Sequence, residues 1–148
     1  MPKTMKARRL TSTDVLIVDH DTPVRAAMAE ILMRRIGCRI AYAEPDLAKV
    51  IHHCQTRAPD LIIVDDWSGG RRTGLALALQ IRASHPGAPL LVVHDRDCDV
   101  ALEIAMAAGI QGFVLKGTNP DLLIASVRAV LAGETAYPPG PFPSDTAD

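Results

Sequence analysis

Short apolar runs alternate with longer segments of helical periodicity along most of the chain. The runs span residues 15–19, 39–43, 61–66, 89–93 and 112–116, and three of them are continuously apolar. Strands have continuously apolar sequences of this kind when helices cover both faces of a parallel sheet. The pattern therefore predicts five buried strands.

The segments between these runs carry apolar residues at helical spacing. In the first segment the apolar stripe consists of Val24, Ala27, Met28, Ile31 and Leu32. This spacing is typical of a helix that packs by one face. We expect Thr22 to be its N-cap, Pro23 its first residue and Gly37 its end, because these residue types favour those positions. Capping residues, prolines and glycines at similar positions predict four further helices.

Five strands that alternate with five helices favour parallel pairing through right-handed crossovers. The predicted fold is a three-layer α/β domain with a doubly wound, flavodoxin-like sheet of order 2-1-3-4-5. We expect this domain to span residues 13–134. Residues 1–12 would be a basic, flexible tail, and the proline-rich residues 135–148 an extended one.

The composition excludes several classes of protein. The 148 residues suffice for one domain, and an aromatic content of 3% argues against a base-stacking surface. The net charge of −1 argues against general nucleic-acid binding. Three cysteines without paired spacing indicate reduced thiols and a cytoplasmic protein, and no apolar run is long enough to span a membrane.

Charged side chains follow the strands whose carboxyl ends should form the binding edge of the sheet. Asp19 follows the first strand, Asp65 and Asp66 the third, and Lys116 the fifth. Ligands of open α/β sheets bind beyond these ends, so Asp19 and Asp65 should converge. Two neighbouring carboxylates favour a divalent cation or a lysine, and Mg²⁺ prefers such oxygen ligands. Lys116 would face phosphoryl oxygens.

Four segments carry a family resemblance: VLIVDHDTPVR, PDLIIVDDWSGGRRTGL, PLLVVHD and AAGIQGFVLKGTNPDLLIASVRAVLAGE. They resemble the receiver domain of two-component response regulators, the CheY-like fold, over about residues 14–134. The last segment is similar to receivers that precede helix-turn-helix domains, the NarL/FixJ-like subfamily. The resemblance implies a non-enzymatic signalling module. In this family an aspartate receives a phosphoryl group, with Mg²⁺, from a sensor histidine kinase or phosphotransfer protein.

The resemblance leaves two candidates for the phosphoryl acceptor. Counting four apolar strand residues after Pro59 and Asp60 gives Asp65. Counting eight residues back from Gly74 gives Asp66. A loop that is one residue longer restores Asp65, and a one-residue slip would reverse every side chain of the strand. We therefore favour Asp65.

Other site residues follow from the same resemblance. Asp19 matches the first acid of the family's metal pair, and Lys116 the lysine that grips the acyl phosphate. The backbone carbonyl of Trp67 takes the place of a further metal ligand. Phe113, three residues before the lysine, matches the aromatic switch position.

Two histidines depart from the family pattern. His20 stands in the position of the second acid, and imidazole is a poor ligand for Mg²⁺. His94 stands where a small hydroxyl residue is expected and would crowd the space into which Phe113 turns. We therefore predict weakened or absent Mg²⁺-dependent phosphorylation. An alternative is that both histidines bind zinc with Asp19 and Asp65.

The fourth helical segment is unusually apolar, with Glu103 as its one charge in VALEIAMAA. The resemblance implies an output face on the fourth helix, fifth strand and fifth helix. We assign Ile104, Phe113 and Leu122 to it and expect a homodimer or an output protein there. We find no DNA-binding domain in this sequence, which is consistent with a stand-alone module or with a fragment of a longer regulator.

Two further functions remain open. The first is a phosphorylation-independent pseudo-receiver that acts as an interaction scaffold. The second is a flavodoxin-like cofactor binder, which is disfavoured because DHDTP follows the first strand where a glycine-rich or hydroxyl-rich phosphate loop would be needed.

Overall fold

The computed structural model describes residues 13–65, 67–68, 71–72, 74–94, 99–117 and 119–138. The strands are β1 (Asp14–Val18), β2 (Arg39–Ala43), β3 (Leu61–Asp65), β4 (Trp67–Ser68), β5 (Arg71–Arg72), β6 (Leu90–His94) and β7 (Gly112–Leu115). The helices are α1 (Thr22–Arg35), α2 (Leu47–Thr56), α3 (Gly74–Ser84), α4 (Asp99–Ala107) and α5 (Pro120–Leu131). Within these ranges, no helix has the length and apolar character needed to cross a bilayer.

The main sheet has five parallel strands in the order β2-β1-β3-β6-β7. Because β6 and β7 are the fourth and fifth of the predicted strands, this confirms the doubly wound order 2-1-3-4-5. The short antiparallel pair of β4 and β5 was not predicted. It lies in the loop between β3 and α3, where two-residue strands leave no periodic pattern.

Side chains alternate between the two faces of the sheet. On one face, Leu16 and Val18 belong to a buried cluster that includes residues of α2, α3 and α4. On the other face, Val15 and Ile17 belong to a cluster that includes residues of α1 and α5. The sheet is thus covered on both sides, as the continuous apolar runs predict.

Asp21, rather than the predicted Thr22, caps α1. Its carboxylate accepts a hydrogen bond of 3.1 Å from the backbone N–H of Val24. Thr22 is the first helical residue, and its hydroxyl accepts a hydrogen bond from Arg25 instead. Because the cap lies only two residues beyond Asp19, the end of β1 is connected directly to the start of the helix.

The chain does not leave the domain directly after α5. Gly133 adopts a positive φ of 88°, which glycine tolerates without strain. The backbone N–H of Ala136 then donates to the carbonyl of Gln111 at 2.8 Å, and its carbonyl accepts from the N–H of Phe113 at 2.9 Å. The expected tail over 135–148 is therefore corrected at its start, and the part beyond residue 138 lies outside the described residues.

Candidate functional site

Three charged side chains meet at the carboxyl edge of the sheet. Asp65 ends β3, Asp19 directly follows β1, and Lys116 directly follows β7. Asp19 and Asp65 are buried, with exposed fractions of 1% and 3%. The Nζ atom of Lys116 lies 2.9 Å from Oδ1 of Asp65. The parallel strand order brings these residues together because all strands of a parallel sheet deliver their last residues to one edge.

Asp19 is held in an environment that disfavours its charged form. Its Oδ1 accepts a hydrogen bond of 2.9 Å from the backbone N–H of Asp21. Its Oδ2 is buried and has no hydrogen-bond partner among the residues that the structure describes. Burial raises the pKa of Asp19 to about 6; the hydrogen bond from Asp21 opposes this rise, the Asp65 carboxylate adds to it, and the Lys116 ammonium opposes it.

These side chains fit a hard divalent cation. Two buried carboxylates supply the oxygen donors that Mg²⁺ prefers, and Oδ2 of Asp19 has no hydrogen-bond partner in the described part of the chain. Trp67 lies in β4, two residues beyond Asp65, so the chain supplies its backbone carbonyl close by in sequence. Asp66, the alternative acceptor, lies outside the described residues.

His20 supplies no oxygen to this cluster. Its Nδ1 lies 3.7 Å from Oδ1 of Asp19, and its side chain is 40% exposed. Among the described residues, no group of three or more histidine, cysteine or acidic side chains is arranged to hold a metal. The zinc interpretation with His20 and His94 therefore has no support in the geometry.

His94 and Phe113 form a buried aromatic contact beside the acidic cluster. Their ring centroids are 5.1 Å apart, and their planes are tilted by 39°. His94 is 4% exposed and Phe113 is 1% exposed. The carbonyl of His94 also accepts a 2.6 Å hydrogen bond from the backbone N–H of Lys116. The imidazole therefore fills the space next to the Phe113 ring.

The expected output face is only partly exposed. Ile104 on α4 and Leu122 on α5 have exposed fractions of 41% and 47%. Phe113 is corrected as a member of this face, because its ring points into the core and packs on His94. α4 instead exposes two further apolar side chains, Val100 and Met106.

Sequence reasoning missed two features next to the acids. Asp21 both caps α1 and orients Asp19, and no sequence signal separates it from Thr22, since aspartate and threonine both favour the N-cap position. A groove of about 280 Å³ lies between α1 and α5. Apolar side chains such as Met28 and Leu123 line it, and it reaches Asp65 and Lys116.

Comparisons with known sequences agree with this architecture. A sequence model of the family described as "Response regulator receiver domain" matches residues 15–128. The oxygen regulatory protein NreC of Staphylococcus epidermidis is 26% identical over 82% of this chain and 56% of its own length. A putative transcriptional regulator of Pseudomonas aeruginosa is 29% identical over 85% of this chain and 60% of its own length. The chain thus spans only about half the length of these curated relatives.

Solved structures show the same fold. A LuxR family DNA-binding response regulator from Silicibacter pomeroyi superposes with a TM-score of 0.73 at 25% identity, covering 86% of this chain and 97% of that one. A two-component response regulator of the LuxR family from Aurantimonas superposes with a TM-score of 0.75 at 24% identity. That match covers 84% of this chain and 89% of the other, and it bears on the fold alone.

Proposed function

Since this chain belongs to the family of response regulator receiver domains, we propose that it accepts a phosphoryl group on Asp65 through an atypical, weakened site. The donor is a phosphohistidine on a sensor histidine kinase or phosphotransfer protein. The observation that supports this proposal is the ion pair of the buried Asp65 with the half-buried Lys116, 2.9 Å apart, beside the buried carboxylate of Asp19. The module is regulatory rather than an enzyme.

The proposed transfer is a displacement at phosphorus. A carboxylate oxygen of Asp65 forms the new P–O bond, the P–N bond of the phosphohistidine breaks, and its electron pair stays on the imidazole nitrogen of the partner. The product is an aspartyl phosphate. Lys116 is placed to contact the phosphoryl oxygens, and Asp19 supplies oxygen to a cation. Mg²⁺, when bound by Asp19, Asp65 and the Trp67 carbonyl, offsets negative charge on the transferring group.

Two side chains weaken this chemistry. His20 stands beside Asp19 without a carboxylate, so one acid is missing from the cation site. His94 is larger than the small hydroxyl residue expected after the fourth main strand, and its ring already packs on Phe113. We therefore expect slow and incomplete phosphorylation.

Acetyl phosphate at millimolar Mg²⁺, followed by intact-protein mass spectrometry, tests the proposal. We expect partial addition of one phosphoryl group to the native chain, none to Asp65→Asn, and the native level in Asp66→Asn. Loss of phosphorylation in Asp66→Asn together with its retention in Asp65→Asn would identify Asp66 as the acceptor. Complete phosphorylation of the native chain would contradict the weakened site.

The second candidate is a pseudo-receiver that binds partners without phosphorylation. It is favoured by the burial of Phe113 against His94, since the imidazole occupies the space beside the ring where the family pattern has a small hydroxyl residue. Trp67 is the single tryptophan of the chain and lies two residues beyond Asp65. A titration with beryllofluoride and Mg²⁺ should change its fluorescence if the acceptor site is competent. An unchanged signal favours the pseudo-receiver.

Two surfaces are the proposed partner contacts. The apolar groove between α1 and α5 opens beside Asp65 and Lys116, where a donor of the phosphoryl group must approach. The apolar side chains on α4, including Ile104 and Met106, are exposed and suit a second copy or an output protein. Exchange of Ile104 for lysine should weaken the second contact without altering phosphorylation of Asp65.

A further inference from the structure

A cleft of about 320 Å³ lies at the amino ends of β1 and β2, away from the carboxyl edge of the sheet that holds Asp65. Residues of the last turn of α2 and of the loop after it complete its lining. Apolar side chains such as Ile40 and Pro59 line the cleft together with two arginines, Arg39 and Arg57. Cavities of this size bind small organic ligands in other proteins.

One carboxylate positions both arginines of the cleft. Nε and Nη2 of Arg39 donate hydrogen bonds of 2.9 Å and 3.2 Å to the two oxygens of Asp14, which makes this pair bidentate. Arg57 adds a single hydrogen bond of 3.0 Å, from its Nε to Oδ2 of Asp14. Exposed ion pairs contribute little to stability, so the second arginine exceeds what the carboxylate of Asp14 needs for its own pairing.

The outer edge of the Arg57 guanidinium is open to a ligand. Only its Nε is bonded to Asp14, and neither terminal nitrogen has a hydrogen-bond partner in the described part of the chain. The side chain is 64% exposed, so a molecule that enters the cleft can reach it. The two terminal nitrogens of a guanidinium form a planar fork that matches two oxygens of a carboxylate or a phosphate.

The charged side chains of the cleft favour an anion. Arg39 and Arg57 each carry a positive charge, and Asp14 carries the one negative charge among the lining residues that the structure describes. The neighbouring Asp60 carboxylate accepts a hydrogen bond of 2.8 Å from the backbone N–H of Asp14 and partly offsets this positive field. Affinity therefore has to come from the Arg57 fork and from the apolar lining together, which favours an anion that carries an apolar body.

We propose that this cleft binds a small organic anion, in which a carboxylate or phosphate group is attached to an apolar body. The fork of Arg57 binds the anionic group, and the apolar lining contacts the body. Asp14 begins β1 and Asp19 follows its end, about 17 Å away along the strand. The proposed site is thus separate from the acceptor edge, and binding there does not depend on phosphorylation of Asp65.

Titrations of the full chain with phenyl phosphate and with benzoate test the cleft, because these probes carry the two kinds of anionic group on the same ring. Inorganic phosphate tests the anion without the ring, and benzyl alcohol tests the ring without the charge. The chemical shifts of the backbone amides of Val15 and Ile40, in ¹H–¹⁵N NMR spectra, report both the affinity and the place of binding.

Two arginine variants separate the fork from general charge. Arg57→Gln removes the fork and leaves Asp14 in its bidentate pair with Arg39. Arg34→Gln is the matched control, because Arg34 is also an exposed arginine in an ion pair, with Glu30 on α1. An unchanged far-UV circular dichroism spectrum verifies that each variant is folded.

We expect saturable shifts of the Val15 and Ile40 amides with phenyl phosphate or benzoate, and the tighter probe identifies the anionic group. The affinity should fall by about tenfold in Arg57→Gln and stay at the native value in Arg34→Gln. Inorganic phosphate and benzyl alcohol should each bind at least about tenfold more weakly than the tighter probe.

Three results would overturn the site: no saturable shifts with either anion, the native affinity in Arg57→Gln, or shifts at Lys116 in place of those at Val15 and Ile40. Equal affinities for inorganic phosphate and phenyl phosphate would overturn the role of the apolar lining.

Discussion

Asp19 combines burial, a neighbouring carboxylate and a raised pKa, so protons and cations compete for it. Its pKa of about 6 means that it is mostly ionised at pH 7 and mostly protonated at pH 5. Because a metal ligand must be deprotonated, we expect the affinity for Mg²⁺ to fall by about tenfold for each pH unit below 6. Calorimetric titrations with Mg²⁺ between pH 4.5 and 7.5 measure this change in affinity.

His20 provides the control for that pH dependence, because the Nδ1 atom of its imidazole lies 3.7 Å from Oδ1 of Asp19. His20→Gln should keep the decline below pH 6 if Asp19 causes it. A pH-independent affinity in this variant would assign the effect to the histidine.

The second residue-scale prediction concerns the missing acid. His20→Asp places a third carboxylate at the cation site, and we expect the affinity for Mg²⁺ at pH 7.5 to rise by at least about tenfold. The extent of phosphorylation by acetyl phosphate should rise together with the affinity for Mg²⁺. His52→Asp, an exposed substitution on α2, is the matched control and should change neither quantity. Equal affinities in the native chain and His20→Asp would show that His20 does not limit the site.

At the scale of the elements, β7 packs so closely on β6 that one of its positions has no room for a side chain. A Cβ atom added to Gly112 would lie 2.9 Å from Cγ and 3.0 Å from Cδ1 of Leu91. Gly112→Ala should lower the free energy of unfolding by about 1–3 kcal/mol, because Leu91 is buried and has little room to move. Urea denaturation measures the loss.

Gly87 is the matched control for this substitution. It lies in the turn before β6, and a Cβ atom there would meet nothing within 4 Å. Gly87→Ala should therefore leave the stability unchanged or raise it by up to about 1 kcal/mol, through the lower entropy of the unfolded chain. Equal effects of the two substitutions would show that β7 can move away from β6 at no cost.

The strands and their order could be predicted because burial on both faces leaves continuous apolar runs, as in Leu61–Asp65. The helix ends were less certain, since Asp21 and Thr22 are both good caps and only the hydrogen bond to Val24 distinguishes them. The position of Ala136 could not be predicted at all. Its pairing with β7 is a long-range contact of a single residue in a proline-rich segment, and no local pattern encodes it.

The meeting of Asp19, Asp65 and Lys116 could be predicted because strand order alone brings the last residues of these strands to one edge. The burial of Phe113 could not be predicted from the sequence. A strand pattern assigns Phe113 to a face, but whether an aromatic ring at the sheet edge points inward depends on what its neighbours leave open. Here the neighbour is His94, which packs against it.

At the scale of the whole molecule, the two ends of β1 hold carboxylates in opposite electrostatic environments, one half-buried and one buried. Asp14, at the start of β1, receives hydrogen bonds of 2.9 Å and 3.0 Å from Arg39 and Arg57. Burial acts to raise the pKa of Asp14, but these two guanidinium groups outweigh it and lower the pKa below its usual value. Asp19, at the other end of the same strand, has a raised pKa.

These opposite shifts predict opposite effects of pH on stability. A raised pKa means that the contribution of Asp19 is fully present below about pH 4 and is lost as the pH rises through 6. A lowered pKa means that the contribution of Asp14 is present above about pH 4 and is lost as the pH falls further. The summed contribution of the two groups is therefore largest near pH 4.

Asparagine substitutions separate the two contributions. At pH 7, Asp19→Asn should be more stable than the native chain by about 2 kcal/mol, because it removes a buried charge, and this gain should vanish near pH 4. Asp14→Asn should be less stable at pH 7 by about 1 kcal/mol, because its arginine partners are largely exposed, and this loss should shrink below pH 4. Urea denaturation of the three proteins between pH 3 and 8 measures both differences. Saturating Mg²⁺ at pH 7 should reduce the advantage of Asp19→Asn, since the cation then compensates the native carboxylate. An advantage that is independent of both pH and Mg²⁺ would mean that folding does not raise the pKa of Asp19.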